Sequence, residues 1–337
     1  MSILVTGGAG FIGSHTCLEL LERGHDVVVV DNFSNSSPAA LDAVRELAGR
    51  PVIAHELDLR DHQSLDRVFA EHPIEAVIHF AAKKAVGESM QIPLEYYDIN
   101  LAGTTNLLRT MHQHDVRKLV FSSSCSIYGD QYVAPITEAD QPCPTNPYAR
   151  SKLMCEQMLA DACTRYGELS MIALRYFNPV GGHPSGRLGE DPRGVPNNVM
   201  PYMMQVAVGR LEKLTVYGTD YDTPDGSGVR DYIHVMDVAE AHCVAMDHLA
   251  DENGLRILNI GTGSGVSVLQ LLAAFQEACG LPVPYEIAGR RPGDAASAIA
   301  DPSRVDKEWG WRTTRDLRGM CADAWRFQSL HPHGYGS

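Results

Sequence analysis

Ser2-Ile3-Leu4-Val5-Thr6-Gly7-Gly8-Ala9-Gly10-Phe11-Ile12-Gly13 is followed, one helix-length later, by Val27-Val28-Val29-Val30-Asp31-Asn32. Ile3 to Val5 read as a short buried strand, and Gly7, Gly10 and Gly13 come directly after it. From Phe11 to Arg23 apolar residues recur at helical spacing, and Gly24 stands where a helix would stop. Val27 to Val30 form a second strand ending in Asp31. Gly7 lets the chain turn sharply off the first strand, Gly10 lets the backbone approach a pyrophosphate, and Gly13 lets helix and sheet pack closely. The free N–H groups of the helix start then receive the anionic charge. Asp31 lies where an acid bonds the ribose hydroxyls of a dinucleotide. A carboxylate there repels a 2′-phosphate, so NAD is expected and not NADP. A glycine triplet alone is a weak signal, but here strand, helix, second strand and acid all agree with it.

Outward from this unit the alternation continues. A helix is expected up to about Gly49, a strand over 52–55 and a helix over 64–70. Asp58-Leu59 follow the third strand closely, and Asp58 reads equally as a contact to the adenine edge or as a helix cap. Ala76 to Ala82 is a near-continuous apolar run, as in a parallel strand buried on both faces. Lys84, just beyond it, is placed to meet a phosphate, because ligands gather outside such strand ends. One long helix is expected from Pro93 to His112, carrying Asn100, and then a strand over 118–122. Strand and helix in strict alternation mean an α/β fold with a doubly wound parallel sheet.

The chemistry lies beyond that strand. Ser122-Ser123-Ser124-Cys125-Ser126-Ile127-Tyr128-Gly129 is rich in hydroxyls, and Tyr148-Ala149-Arg150-Ser151-Lys152 opens a helix expected to reach about Tyr166. Tyr148 and Lys152 are four apart and share one face. A free phenol titrates near about pH 10, too high for a useful base. A neighbouring ammonium and a positive nicotinamide ring both favour phenolate. Such a pair is common on surfaces, but downstream of a nucleotide fold it reads as catalytic. A strand over 170–176 leads to Phe177-Asn178, and from Gly181 the pattern loosens into Gly, Pro and charge. Helices are then expected over 199–208, 236–250, 267–279 and 317–328, with strands over 214–218, 229–235 and 257–260, the last returning to the main sheet. The expected layout is an NAD-binding domain of residues 1–177 with roughly 232–262, and a smaller α/β domain of 178–231 and 263–337 for the substrate.

The formal net charge of −14 excludes a general binder of nucleic acid or acidic membranes, since no basic stretch offsets it. No apolar run approaches membrane-spanning length, and no basic segment precedes the first strand, so neither a membrane span nor a signal peptide is expected. Eight cysteines show no CxxC pair and several sit in apolar helical patterns. They are expected reduced, in a cytoplasmic setting. The fourteen histidines lack HExxH or similar spacing, so no metal is expected.

Taken together, the motifs are similar to those of the extended short-chain dehydrogenase/reductase family over nearly the whole length. The most specific stretches are 5–16, 77–82 with 84–89, 93–98, 121–124 with 128–130, 174–181, 196–202 and 228–237. The resemblance implies a Rossmann sheet and NAD held by Gly7, Gly10, Phe11, Ile12, Gly13, Asp31, Asn32, Asp58, Leu59, Phe80, Ala81, Lys84, Asn100, Tyr176 and Phe177, with Tyr148 and Lys152. It implies catalysis by Ser124, Tyr148 and Lys152. It further implies a UDP-sugar held by Ser124, Tyr148, Asn178, Asn198, Val199, Tyr217, Arg230, Arg291, Asp294 and Ala298, and a homodimer. The reaction implied is reversible C4 inversion of UDP-glucose and UDP-galactose through a 4-keto intermediate. Two arginines independently suit a diphosphate, whose oxygens match the guanidinium fork.

Two departures from the family's common pattern are visible. Ala82-Lys83 stand where Gly-Leu is frequent, and Ala298 stands where many bacterial members carry tyrosine, which opens the question of UDP-GlcNAc and UDP-GalNAc. Three rivals remain. A nucleotide-sugar 4,6-dehydratase commonly has an acidic pair after the catalytic serine, where this chain has Cys125 and Ser126. A UDP-pentose 4-epimerase shares the motifs. A non-enzymatic NAD-binding protein would have been signalled by loss of Tyr148 or Lys152, and both are present.

Overall fold

The computed structural model describes residues 1–130, 134–250, 252–291 and 294–336. In its first half six strands alternate with helices: β1 (Ser2–Thr6), β2 (Asp26–Asp31), β3 (Ile53–Glu56), β4 (Ile74–His79), β5 (Lys118–Ser124) and β6 (Ser170–Tyr176). The helices are α1 (Phe11–Glu22), α2 (Pro38–Ala48), α3 (His62–Glu71), α4 (Val86–Gln91), α5 (Pro93–Tyr97), α6 (Gly103–Gln113) and α7 (Pro147–Tyr166). With a later strand over Gly254–Ile260 they build a seven-stranded sheet whose order is that strand, then β6, β5, β4, β1, β2 and β3. The pairings from β3 through β2, β1 and β4 to β5 are all parallel. Winding reverses between β1 and β4, the switch point outside whose strand ends ligands bind in open α/β sheets.

Valine-rich strands form this sheet because both faces are covered. Leu4, Val28, Val77, Leu119 and Phe121 pack with Leu65, Leu107 and Leu159 from the helices. Local chemistry places the helix ends. Asn146 caps α7, its side chain accepting from the Ala149 N–H, Pro147 occupies the first turn, and Gly167 ends it in the left-handed region. The single helix expected over 93–112 is instead three pieces. A π turn over Asp98–Ala102 separates α5 from α6. Such turns insert a residue into the helix and often mark functional positions, and this one carries Asn100, drawn inward to bond the backbone of Lys83.

The later part of the chain holds β7 (Asn178–Val180), α8 (Val199–Ala207), β8 (Leu214–Tyr217), β9 (Val229–Arg230), β10 (Tyr232–His234) and α9 (Val235–Asp247). After them come β11 (Gly254–Ile260), β12 (Val266–Ser267), α10 (Val268–Cys279), β13 (Tyr285–Ala288), β14 (Ser297–Ala298), α11 (Ser303–Trp309) and α12 (Leu317–Leu330). β7, β12, β13, β14, α4 and α11 had no counterpart in the sequence reading. The strand expected over 229–235 divides at Asp231, so that β9 joins β12 and β14 while β10 joins β7. The cause is the buried Asp231 carboxylate, which accepts from the N–H groups of Thr262 at 2.9 Å, Gly263 at 3.0 Å and Ala300 at 3.2 Å. Meeting those donors occupies the position between the two strands.

Two compact units result. The first comprises Met1–Ile127, Pro144–Arg175 and Ala239–Leu258; the second comprises Tyr128–Cys143, Tyr176–Val238 and Asn259–Ser337. The second has its own core of Met200, Met203, Leu271, Phe275 and Cys321. Among the described residues no helix is long and apolar enough to cross a membrane. All eight cysteines are free thiols.

Candidate active site

At the end of β1 the chain turns at Gly7 with φ of 71°, so close to β4 that a Cβ there would sit 2.7 Å from the Ala81 nitrogen. A Cβ on Gly13 would come within 2.2 Å of the Gly7 carbonyl. Gly10 caps α1 without a side chain, leaving the first-turn N–H groups of Phe11, Ile12 and Gly13 pointed outward for an anion. Asp31 ends β2 and is nearly buried. One of its oxygens accepts from the Ala9 N–H at 3.0 Å; the other accepts from the Phe33 N–H at 2.9 Å and the Ser36 hydroxyl at 2.8 Å. The acid and the glycine turn are thus one rigid piece, and a cradle with no room for side chains, topped by an acid, fits a dinucleotide.

Beside it, Asn32 donates to Asp58 at 3.1 Å. Asp58 also accepts from Arg60, whose guanidinium holds its carboxyl down at about 2. The cap alternative for Asp58 does not apply, because Asp61 caps α3. Leu59 is buried against the start of α6, its Cβ 3.4 Å from where a Cβ on Gly103 would lie. Phe80 and Ala81 both donate backbone N–H to the Thr6 carbonyl, and the Phe80 ring meets His242 with centroids 4.6 Å apart. Asn100 accepts from the Lys83 N–H at 2.8 Å and donates to Ser151 at 2.9 Å, which links the strand end to α7. Lys84 is exposed, whereas Lys83 pairs with Glu88 and Glu95.

β5 runs two residues beyond the expected end, so Ser124 becomes its last residue. The Ser124 hydroxyl lies 2.8 Å from that of Ser126 and also accepts the Ser126 N–H. Tyr148 and Lys152 lie in the first turns of α7, both buried. Burial pushes the Tyr148 phenol up to about 12, while a hydrogen bond with Ser124 pulls it the other way. The Lys152 ammonium donates to the Ser122 carbonyl at 2.7 Å, lies 4.8 Å from the Phe121 ring centroid, and is brought down by burial to about 8. The lysine is therefore held by the strand end, and the phenol is still far from a neutral-pH base.

The sequence reading missed what supports this lysine. Glu156, one turn further along the same face, favours its charge. The Glu156 carboxylate accepts from Ser123 at 2.5 Å and from Arg175 at 2.9 and 2.6 Å, with acid and arginine almost wholly buried. The i, i+4 spacing to Lys152 was the available signal; the arginine, nineteen residues later on β6, gave none.

In the second unit, Tyr176 and Phe177 stand at the junction of β6 and β7, with Phe177 buried. Asn178 opens β7, opposite Tyr232. Asn198 caps α8 ahead of Val199, its amide 3.4 Å from Glu190. Arg230 donates to the carbonyls of Val229 and Ala295 and lies 3.7 Å from Asp294. The Arg291 guanidinium stacks 4.1 Å from the ring centroid of Tyr217. Ala298 lies opposite Arg230 in the β14–β9 pair. Arg230, Asp294 and Ala298 are thus brought together, Arg291 and Tyr217 form a second pair, and Asn198 sits with Glu190.

A family model for the NAD dependent epimerase/dehydratase family matches residues 3–261. The UDP-glucose 4-epimerase of Bacillus subtilis is 55% identical over 337 residues, covering 100% of this chain and 99% of that protein. The structure of the Bifidobacterium longum UDP-glucose 4-epimerase in complex with NAD+ and UDP matches with a TM-score of 0.96 at 50% identity, covering 99% of this chain and 100% of the other. That of the Stenotrophomonas maltophila enzyme, with bound NAD and formylated UDP-arabinopyranose, matches with a TM-score of 0.96 at 47% identity, covering 98% and 99%. A glycine turn locked to a strand-end acid, a buried Ser–Tyr–Lys set and likeness along the full length agree: this chain belongs to the NAD-dependent epimerase/dehydratase family.

Proposed function

We propose that this chain interconverts UDP-glucose and UDP-galactose by inverting C4 through a 4-keto sugar, keeping its NAD from one turnover to the next. The observation that carries the reading is the buried Ser124–Tyr148–Lys152 set at the same end of the parallel sheet as the Asp31-locked glycine turn, in a chain half identical over its full length to UDP-glucose 4-epimerases. NAD, when bound, supplies the acceptor for the C4 hydride and the donor that returns it to the opposite face. Tyr148 takes the proton of the C4 hydroxyl as the carbonyl forms and gives it back on return. Ser124 orients that hydroxyl and passes the proton. Lys152 bonds the ribose and brings positive charge to a phenol that the protein alone leaves at about 12. Gly7, Gly10, Phe11, Ile12 and Gly13 receive the pyrophosphate, and Asp31 and Asn32 the ribose. Asp58, Leu59, Phe80, Ala81, Lys84, Asn100, Tyr176 and Phe177 complete that site.

In the second unit Arg230 and Arg291 neutralise the UDP diphosphate, with Asn178, Asn198, Val199, Tyr217 and Asp294 holding its ends. Firm anchoring of UDP leaves the hexose free to turn over between hydride transfers. The small side chain of Ala298 opposite Arg230 favours a second reading, in which the N-acetylated pair UDP-GlcNAc/UDP-GalNAc is also accepted. Cys125 and Ser126 after Ser124 supply no acid for dehydration. The reading includes a homodimer, with the groove between α6 and α7, lined by Leu108, Arg109, Met158, Asp161 and Tyr166, as the face for a second copy. Eight free thiols support a reducing, cytoplasmic setting, where galactose metabolism would use this reaction. The test is conversion of UDP-galactose by purified protein without added NAD. Turnover to UDP-glucose is expected; a dehydrated product, or none with the holoenzyme, overturns the reading.

A further inference from the structure

β3 is the edge strand of the seven-stranded sheet, and its third residue, His55, pairs through its backbone with Val30. The His55 Nε2 lies 2.9 Å from Nε2 of His72, the residue that ends α3. The two rings meet edge-on, with centroids 5.1 Å apart and planes at 62°. Glu71 brings a carboxylate to the same point, so that one ligand atom from each of the three residues lies within 4.8 Å of the other two. Both histidines are half-buried and the glutamate is exposed. None of the three serves the reaction above.

We propose that His55, Glu71 and His72 form a binding site for a borderline divalent transition metal, zinc above all, that clamps the sheet edge to the end of α3. Two imidazole nitrogens and one carboxylate are a zinc ligand set, with the fourth position left to water. Magnesium and calcium prefer oxygen throughout and are excluded by the same chemistry. A tetrahedral ion with metal–nitrogen bonds of about 2.0–2.1 Å puts its ligand atoms about 3.3–3.4 Å apart. The two nitrogens therefore open by roughly 0.4 Å, and the carboxylate closes by about 1.5 Å at most. The exposed side chain of Glu71 can turn that far. The imidazole–imidazole hydrogen bond already brings the two Nε2 edges together, and each ring then has only to turn its lone pair from the other nitrogen to the ion. When the metal replaces it, the donor ring carries its proton on Nδ1, and both Nε2 atoms offer lone pairs. His55 and Glu71 lie sixteen positions apart, a spacing that matches no local metal motif, and only the fold gathers the ligands at the edge strand.

The experiment is a zinc titration of the tag-free holoenzyme near neutral pH in a non-chelating buffer, read by calorimetry and by melting temperature. One equivalent per chain is expected, with a raised melting temperature and no response to magnesium. His55→Gln, His72→Gln and Glu71→Gln are each expected to weaken zinc binding by about tenfold or more, as loss of a ligand exceeds loss of its supporting shell. Bound NAD, measured on each variant, checks that the first unit is intact, and Glu71→Gln alters only an exposed side chain. Cobalt-loaded wild type gives an independent reading: an intense tetrahedral visible spectrum that fades in His72→Gln. No zinc bound by wild type, equal binding by the variants, or an octahedral cobalt spectrum each overturns the proposal.

Discussion

The stretch from β1 to Asp31 and the surroundings of Arg230 are built in opposite ways. The first is one contiguous piece whose strands are buried along their length, its acid tied back to its own glycine turn by the Ala9 N–H. The second gathers Asn178, Tyr217, Arg230 and Ala298 from strands of two to four residues that belong to three separate small sheets. Chemistry common to a family sits on the rigid ladder, where a change of side chain is also a change of fold. On the proposed reading, substrate choice falls to short, partly exposed strands, where side chains can vary with little effect on the core. The two regions should therefore answer mutation differently, in stability on one side and in selectivity on the other.

Glu156→Ala puts the largest strain on that contrast. It takes the Glu156 carboxylate away from the buried Arg175 charge, and removing one member of a buried pair costs about 3–5 kcal/mol. Urea denaturation should show the loss, together with reduced NAD content. Arg230→Ala is the matched change in the second unit. Its ion pair to Asp294 is partly exposed at 3.7 Å and its other bonds go to the Val229 and Ala295 carbonyls, so stability should fall by about 1–2 kcal/mol while UDP affinity drops. Equal destabilisation by the two would break the comparison.

Tyr148→Phe keeps the ring's packing and removes the proton acceptor, so turnover should fall at least about hundredfold with substrate binding little changed. Wild-type activity should also decline as pH rises through about 8, where Lys152 loses its proton. Stability should move the other way. A lysine whose folded pKa is depressed is disfavoured while charged, so between about 8 and its unfolded value near 10.5 the unfolded chain holds more protons and stability rises with pH. Parallel activity and melting profiles check both signs, and a Lys152→Met protein should lose the stability rise.

The same contrast explains what was legible in the sequence. The strand–glycine–helix–strand–acid order was readable because every partner lies within thirty-one residues and continuous apolar runs flank a stretch of helical spacing. Tyr148 and Lys152 were readable for the same local reason. The π turn at Asn100 was not, since a helical pattern cannot show one inserted residue whose cause is a bond to Lys83, seventeen positions away. β12, β13 and β14 were not legible either: strands of two to four residues carry no period, and their partners are distant in sequence. The split of 229–235 depended on Asp231 meeting Thr262, Gly263 and Ala300, contacts that exist only after folding.

Asp31→Ala falls next in size. The carboxylate accepts three hydrogen bonds from its own turn and loop, and a charge-assisted bond to the ribose adds about 1.5–3 kcal/mol. Purified protein should release NAD on acid denaturation, and the variant should arrive with markedly less. Release of NADP from wild type would instead remove Asp31 from its assigned role.

The smallest and most selective effect is expected at Ala298. The position is fixed by β14, where Ala298 lies opposite Arg230 and its carbonyl accepts the Asp231 N–H at 2.9 Å. Its neighbour Ile299 cannot fill the space that a missing tyrosine ring leaves. Ile299, just past β14, packs over Gly265, where a Cβ would fall 2.5 Å from its Cδ1. The Ile299 carbonyl is also held by the Ile136 N–H at 2.8 Å. On the proposed reading position 298 lies beside the C2 substituent of the sugar, where alanine leaves room for an acetamido group and for its rotation as the keto sugar turns. Wild type should therefore interconvert UDP-GlcNAc and UDP-GalNAc as well as the unsubstituted pair. Ala298→Tyr should suppress the acetylated reaction by about 1–3 kcal/mol, the usual cost of overpacking a fitted site, with the glucose–galactose reaction nearly unchanged. Both substrate pairs measured on both proteins decide it. If wild type turns over no acetylated sugar at saturation, Ala298 does not set substrate scope, and the second unit is less tunable than its short strands imply.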